Sequence, residues 1–396
     1  MSSSILSVVN DAQKYMRDTN LDGWLLYDYR GINPILWDIL GSISNVTRPC
    51  WLWIPAQYDP ILLVSYVDKG RFSNVNIPCQ EFVSRKEMIQ ALEDIFISNN
   101  VSNIAMEYSR NAEVPRVSKV DAGTIELIRS IGPEIVSSAD LLQFACQRWT
   151  NDQLESHIEA GEKLTRIVQE AFCFIYKNLD LRVTEFQVAE FIRRRFAEEG
   201  LQITDGPVVA INEHSSDPHY EPNSSFSSVI HEEDWVLIDL WTRKLGDDSI
   251  FGDITWVGYV GDNIPDSNRR IFDIVVGARD KALGEIYRAF SEEEPLQGWM
   301  LDKVARDYIT MEGYGEYFNH RLGHSLGKEV HSHSVNLDSW ETHDTRMLLP
   351  GLGVTIEPGI YLPEFGVRSE IDVYISDVGP RVTTPPQTQI VLINGK

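Results

Sequence analysis

The sequence predicts two domains, an α/β domain over residues 1–147 and an α+β domain over residues 148–396. Three observations carry that reading. A chain of 396 residues exceeds what one ordinary hydrophobic core supports. Its first part alternates short apolar runs with stretches of helical periodicity, the order of a mixed or parallel sheet covered by helices. After Arg148 the helices come first, and the strands that follow them carry acids, the order of helices packed on one face of an antiparallel sheet.

Taken in order, Trp24-Leu25-Leu26-Tyr27, Trp51-Leu52-Trp53-Ile54, Ile61-Leu62-Leu63-Val64 and Ile104-Ala105-Met106-Glu107 read as strands, being short, apolar and rich in aromatic or branched residues. Lys86 to Ile97 and Ala122 to Ile131 carry helical spacing. The stretch from Trp37 to Trp53 reads as core or dimer surface, and this part of the chain shows no catalytic constellation. Thr150-Asn151-Asp152-Gln153 is a capping-box pattern that opens a helix running to about Tyr176. Thr184-Glu185-Phe186-Gln187 opens a second, ending near Gly200. Two more helices are expected from Asn268 to Phe290 and from Leu301 to Glu312. Strands are expected at Val208 to Ile211, Trp235 to Leu240, Ile254 to Val260, Gly353 to Glu357 and Glu370 to Ile375.

Composition narrows the function. A hydrophobic share of 43% and an aromatic share of 10% suffice for globular packing. Against 35 basic residues stand 59 acidic ones, a formal charge of −24, which repels phosphate backbones and disfavours nucleic acid as a partner. Cys50, Cys79, Cys146 and Cys173 are far apart and form no C-x-x-C pair, so they read as reduced, mostly buried thiols. Met1 to Asn10 has neither a basic start nor a long apolar stretch, and no segment reaches the roughly 18 apolar residues of a membrane helix. A cytoplasmic protein without a membrane partner is expected.

Five of the nine histidines fall between residues 320 and 343. Three stand in His320-Arg321-Leu322-Gly323-His324-Ser325-Leu326-Gly327-Lys328-Glu329-Val330-His331, where neutral imidazoles can bind metal or move protons. His320 and His324 have the i, i+4 spacing of a zinc-binding helix. Arg321 replaces the glutamate such a helix needs, and Gly323 and Gly327 disfavour helix, so a looped or extended segment is predicted. Asp239 ends the apolar run Val236-Leu237-Ile238, and Glu357 ends Val354-Thr355-Ile356; Asp253 and Glu370 stand on further strand segments. An acid at the end of a buried run needs a partner, because an unpaired buried charge is expensive. A shared pair of metal ions would serve all four. Four carboxylates and one imidazole suit manganese first, with cobalt or zinc as the other candidates.

The run H-x-x-G-H-x-x-G-x-x-x-H, followed by I-E-P-G and R-x-E, resembles the pita-bread metallopeptidase family, which contains methionine aminopeptidase, aminopeptidase P and prolidase. The histidine block is most similar to the proline-specific members. The resemblance covers roughly Arg148 to Asn394, and the first domain is similar, more weakly, to the N-terminal domain of prolidases, aminopeptidase P and creatinase. It implies two divalent ions per chain and a hydroxide held between them as nucleophile. Asp239 would hold one ion, His324 and Glu357 the other, and Asp253 and Glu370 would bridge both. Glu357 would also move the proton to the leaving nitrogen. His331 and His219 would face the substrate, His320 would line the proline pocket, and Arg368 would hold a carboxylate, either a ligand's or the substrate's. The other histidines read as structural or surface groups, although His343 and Arg346 could approach a substrate carboxylate. A homodimer and a peptide or small amide substrate are further implications.

Three departures from the family pattern bear on the substrate. Arg243 to Asp248 lengthen the interval between the two aspartates. Trp256 stands where many relatives carry arginine, and Ile371 follows Glu370 where a second acid is usual. Hydrolysis of Xaa-Pro bonds, as a dipeptidase or aminopeptidase, is the leading expectation. The alternatives are a creatinase-like or ectoine-hydrolase-like enzyme acting on another small C–N substrate, and a catalytically silent binding module.

Overall fold

The computed structural model describes residues 3–41 and 43–394. Met1 and Ser2, part of the N-terminal stretch weighed above, lie outside them. The chain divides into two compact units, Met1–Arg148 and Trp149–Lys396.

In the first unit a six-stranded sheet is built from β1 (Gly23–Asp28), β2 (Cys50–Pro55), β3 (Ile61–Ser65), β4 (Cys79–Phe82), β5 (Asn103–Met106) and β6 (Glu134–Ser137), in the order β4-β3-β2-β1-β5-β6. It is mixed: β1 runs antiparallel to β2 and parallel to β5, and β3 runs antiparallel to β2 and parallel to β4. Helices α1 (Ser3–Thr19), α2 (Pro34–Leu40) and α5 (Ala139–Cys146) cover one face, where Trp24, Leu26, Leu52 and Val64 are buried. Helices α3 (Arg85–Ser98) and α4 (Ala122–Ile131) cover the other, over Leu25, Trp51, Trp53 and Leu63. Two covered faces explain why β1, β2 and β3 are apolar throughout rather than alternating.

The second unit opens with α6 (Asn151–Asn178) and α7 (Glu185–Glu198), and both predicted capping boxes are formed. Next come β7 (Val208–Ile211), β8 (Trp235–Thr242), β9 (Gly252–Val260), α8 (Asp266–Ser291) and α9 (Gly298–Met311). The remaining strands are β10 (Ser325–Leu326), β11 (Gly353–Ile356), β12 (Gly359–Tyr361), β13 (Gly366–Arg368), β14 (Ile371–Ser376), β15 (Gly379–Val382) and β16 (Val391–Ile393). They form a sheet in the order β16-β9-β8-β7, a second in the order β10-β11-β14-β15, and the hairpin β12-β13. Ile238, Leu240, Ile254 and Trp256 pack beneath α6 and α7, while Leu237, Val257, Ile356, Ile371 and residues of α8 and α9 share the other large core.

Three expectations need correction. The sheet is not purely antiparallel, because the C-terminal strand β16 joins β9 in parallel. Glu357 and Glu370 stand one residue beyond the ends of β11 and β14 rather than within strands. Of the four free thiols only Cys50 is buried: Cys79 is exposed on the edge strand β4, and Cys173 falls off the buried stripe of α6. No described helix is long and apolar enough to cross a membrane.

Candidate metal centre

Strand register brings the two aspartates together. In the antiparallel pair β8–β9, Asp239 lies opposite Thr255 and Trp241 opposite Asp253. Side chains alternate along a strand, so Asp239, Trp241, Asp253 and Thr255 share one face and the aspartates are diagonal neighbours. The residues that lengthen their interval lie in the 243–251 connection and leave this register intact. Trp256 projects to the opposite face, into the core under α6 and α7, so it does not replace a group among the acids.

The glutamates arrive by the same logic. Ile356 pairs with Ile371 in the antiparallel pair β11–β14, so Glu357 and Glu370 continue the register one step beyond both strand ends. The histidine segment is not helical: Ser325–Leu326 is a short strand and the rest is loop. Gly323 passes so close to β11 that a Cβ there would lie 2.1 Å from the carbonyl oxygen of Thr355, which only glycine tolerates. His324 is then pinned at its backbone, its N–H donating to Thr355 Oγ1 at 2.9 Å and its carbonyl accepting from Thr355 N at 2.8 Å.

The imidazole of His324 is oriented as a ligand would be. Nδ1 lies 3.2 Å from the carbonyl of Ser325, an acceptor only, so Nδ1 carries the proton. Nε2 faces the acids, 3.5 Å from Glu357 Oε1 and 3.7 Å from Asp253 Oδ2. One ligand atom each of Asp253, His324 and Glu370 lie within 4.8 Å of one another. Asp239 Oδ1, Asp253 Oδ1 and Glu370 Oε1 are buried oxygens with no hydrogen-bond partner. Burial, and then the neighbouring acids Glu370 and Asp239, drive the Asp253 carboxyl well above the usual carboxylate range. Burial, then Glu357 and Asp239, do the same to Glu370. A group of carboxylates that cannot ionise alone and keeps oxygens free of donors fits hard divalent cations.

Arg368 and His320 complete the floor. Arg368, 4% exposed, donates from Nη2 to Asp239 Oδ2 at 2.5 Å, from Nη1 to the Tyr361 hydroxyl at 2.9 Å and from Nε to Thr255 Oγ1 at 3.0 Å. Arg368 thus holds the carboxylate of Asp239. Thr255 Oγ1 in turn donates to Glu370 Oε2 at 2.7 Å. His320 lies with Nδ1 2.7 Å from the carbonyl of Arg321 and Nε2 2.8 Å from the Tyr361 hydroxyl. The carbonyl requires a proton on Nδ1, so Tyr361 donates to Nε2 while accepting from Arg368. Burial holds the His320 ring at a pKa of about 3, neutral throughout the physiological range.

The remaining site residues stand at the rim. His331 is exposed and meets His324 edge-on, the rings 4.3 Å apart at 88°. His219 is exposed on the connection between β7 and β8, near enough for its charge to bear on Asp239. Arg346 is 2% exposed and grips Asp344 and the carbonyl of His333, so it does not reach out toward a substrate; His343 stands against Trp299.

Sequence reasoning missed Asp372 and the role of Thr255. Asp372, wholly buried, accepts the backbone N–H of Asp253 at Oδ2, 2.9 Å away, and faces His157 Nε2 at 3.8 Å. The signal was present: Asp372 is two residues after Glu370 and therefore on its face, as Thr255 is to Asp253.

Residues 158–377 match the model of metallopeptidase family M24. The chain is 28% identical over 295 residues to an Xaa-Pro dipeptidase of Pyrococcus horikoshii, covering 72% of each chain. It is 30% identical over 239 residues to an uncharacterized peptidase of Staphylococcus saprophyticus, covering 60% of this chain and 62% of that one. The match thus spans less than two thirds of that staphylococcal relative. In fold the chain is similar to the dipeptidase PepE of Mycobacterium ulcerans, with a TM-score of 0.75, 20% identity and coverage of 99% and 98%. It is likewise similar to the prolidase of P. horikoshii, with a TM-score of 0.64, 24% identity and coverage of 97% and 99%. The architecture is that of the pita-bread fold preceded by a second domain, and the chain belongs to metallopeptidase family M24.

Proposed function

We propose that this chain is a metal-dependent exopeptidase that hydrolyses the bond between an N-terminal residue and proline, with two divalent ions per chain held by Asp239, Asp253, His324, Glu357 and Glu370. The carrying observation is that Asp253, His324 and Glu370 each bring one ligand atom within 4.8 Å of the others, while Asp239, Asp253 and Glu370 each keep a buried oxygen with no hydrogen-bond partner. Bound there, manganese, cobalt or zinc would polarise a carbonyl and acidify a water.

The chain's own groups do the rest. Glu357 lies beside His324, and its carboxyl is pushed up to about 7 by burial, against the pull of Arg368, so it can take a proton and return it to the leaving nitrogen. His331 and His219, at the rim, can steady charge that develops on the substrate oxygen. His320 has both ring nitrogens engaged, so it shapes the proline pocket with its ring and moves no proton. Arg368 orients Asp239. An Xaa-Pro bond has no N–H, so selectivity must come from fitting the ring and protonating its nitrogen. The Pyrococcus relative, named as an Xaa-Pro dipeptidase, supports that choice. The working form is read as a cytoplasmic homodimer, checked by light scattering against the 45.1 kDa chain.

Metal analysis combined with a panel of Xaa-Pro dipeptides, longer Xaa-Pro peptides and non-proline controls tests the reading. Two ions per chain and selective Xaa-Pro cleavage are expected. A metal-loaded protein that ignores every Xaa-Pro substrate yet cleaves another amide or amidine overturns it.

A further inference from the structure

Outside the acid cluster, a second convergence of polar groups lies around Glu185. This residue sits inside the second capping box, at the first position of α7, and is wholly buried. Its carboxylate is spoken for from four directions. Oε1 accepts the N–H of Ile211 at 2.8 Å and Nδ1–H of His214 at 2.9 Å. Oε2 accepts the N–H of Ser228 at 2.7 Å and the hydroxyl of Tyr220 at 2.7 Å. Its own backbone N–H donates to the carbonyl of Ser228 at 3.1 Å.

These partners share one connection. Ile211 is the last residue of β7 and Ser228 lies shortly before β8; His214 and Tyr220 are in between, and Tyr220 follows His219 directly. The rings of His214 and Tyr220 stack 4.4 Å apart, with Phe226 5.5 Å from His214. The other side of the connection rests on the β12–β13 hairpin. Gly366 donates its N–H to Ser215 Oγ at 2.8 Å, and a Cβ on Gly366 would lie 1.9 Å from the carbonyl of Ser215. Ser216 donates to the carbonyl of Leu362. That hairpin ends in Arg368 and contains Tyr361. One buried carboxylate thus gathers both ends and the middle of the connection that carries His219, and the gathered connection seats on the hairpin that presents Arg368.

We propose that Glu185 is a positioning residue, holding the 212–228 connection so that His219 stands at the rim of the acid cluster. The inference rests on the reading of His219 as a catalytic group. A carboxylate suits the task because both its oxygens accept, and its place in the first turn of α7 favours negative charge. An amide presents one oxygen and one NH2 group. In Glu185→Gln, therefore, the backbone N–H of either Ile211 or Ser228 meets an NH2 group instead of an acceptor.

The test uses the full-length protein and two independent readouts. Amide hydrogen exchange of wild type and Glu185→Gln should show protection lost across residues 212–228 and kept in β8, β9, β11 and β14, with metal content unchanged. On an Xaa-Pro dipeptide, kcat/KM of Glu185→Gln should fall toward about 100-fold, the cost of a misplaced group. In a His219→Ala background the same change should cost almost nothing further, because its effect passes through His219. Tyr220→Phe, which removes one donor and keeps the ring, should show a smaller loss of the same kind if Glu185→Gln folds poorly. Unchanged exchange in the connection overturns the proposal, as does an equal loss in both backgrounds. If no Xaa-Pro substrate is cleaved at all, the functional reading fails, while the exchange pattern still decides whether Glu185 holds the connection.

Discussion

Arg368 donates to Oδ2 of Asp239 at 2.5 Å, while Oδ1 of the same carboxylate is buried with no hydrogen-bond partner. One oxygen is thus fixed by a rigid, permanently charged fork and the other is left to point at whatever cation the cluster takes. Arg368 shares its remaining donors between Thr255, which leads on to Glu370, and Tyr361, which leads on to His320. A single guanidinium therefore ties an acid from each of two sheets to the floor of the pocket. Arg368→Gln should lower metal affinity by about 10–100-fold, the usual effect of losing a group that orients a ligand. Titration calorimetry with manganese checks this; wild-type affinity would show that Asp239 needs no such support.

Asp253 and Glu370 are the proposed bridges, each with one donor-free oxygen. Asp253→Asn and Glu370→Gln should each abolish activity and bring the metal content below two ions per chain. Elemental analysis after dialysis gives the answer, and full stoichiometry with intact activity in either variant removes that residue from the ligand set.

His331→Ala and His219→Ala should keep their metal while kcat falls by about 10²–10⁴, the range of one proton-transfer or oxyanion group. His331 lies edge-on to His324, so its loss leaves the Nδ1–H bond of His324 to Ser325 in place. Metal loss in His331→Ala would instead make it a ligand.

Glu107, in the first unit, is wholly buried; Trp24 Nε1, Asn33 Nδ2 and Ser138 Oγ all donate to it, yet burial still pushes its carboxyl from 4.5 up to about 7. Its folded pKa lies above its unfolded one, so the native state binds this proton more tightly. The stabilisation is complete below about pH 4.5 and is lost as pH rises through about 7, on the order of 3 kcal/mol in all. Urea unfolding followed by tryptophan fluorescence at pH 5 and pH 8 should show this loss in wild type and a flatter response in Glu107→Gln. Equal pH dependence in both would place the titration elsewhere.

Much of the local structure was legible because local rules produce it. The two capping boxes need only a Thr and a Gln three residues apart, and both formed as read. The apolar runs of β1, β2 and β3 became strands because both sheet faces are covered. The non-helical histidine segment followed from Gly323 and Gly327, and Gly323 proved to be where the backbone must pass against β11. Asp239 and Glu357, the acids that end apolar runs, both lie against Arg368, and the residues before them are ones the periodicity assigned to strands.

What the tertiary structure alone decided are contacts between residues far apart in the chain. The bond from Asp253 N–H to Asp372 spans 119 positions, and that from Arg368 to Asp239 spans 129. No spacing rule encodes them, because they depend on how one sheet meets another. The parallel docking of β16, the burial of Arg346 and the exposure of Cys79 and Cys173 are of the same kind. Glu185 shows the division most plainly. Its place in a helix cap could be read from four consecutive residues. The four donors that meet its carboxylate are brought there only when the connection from β7 to β8 folds back over the start of α7. A buried carboxylate must find donors wherever the fold supplies them, and only the folded chain determines which those are.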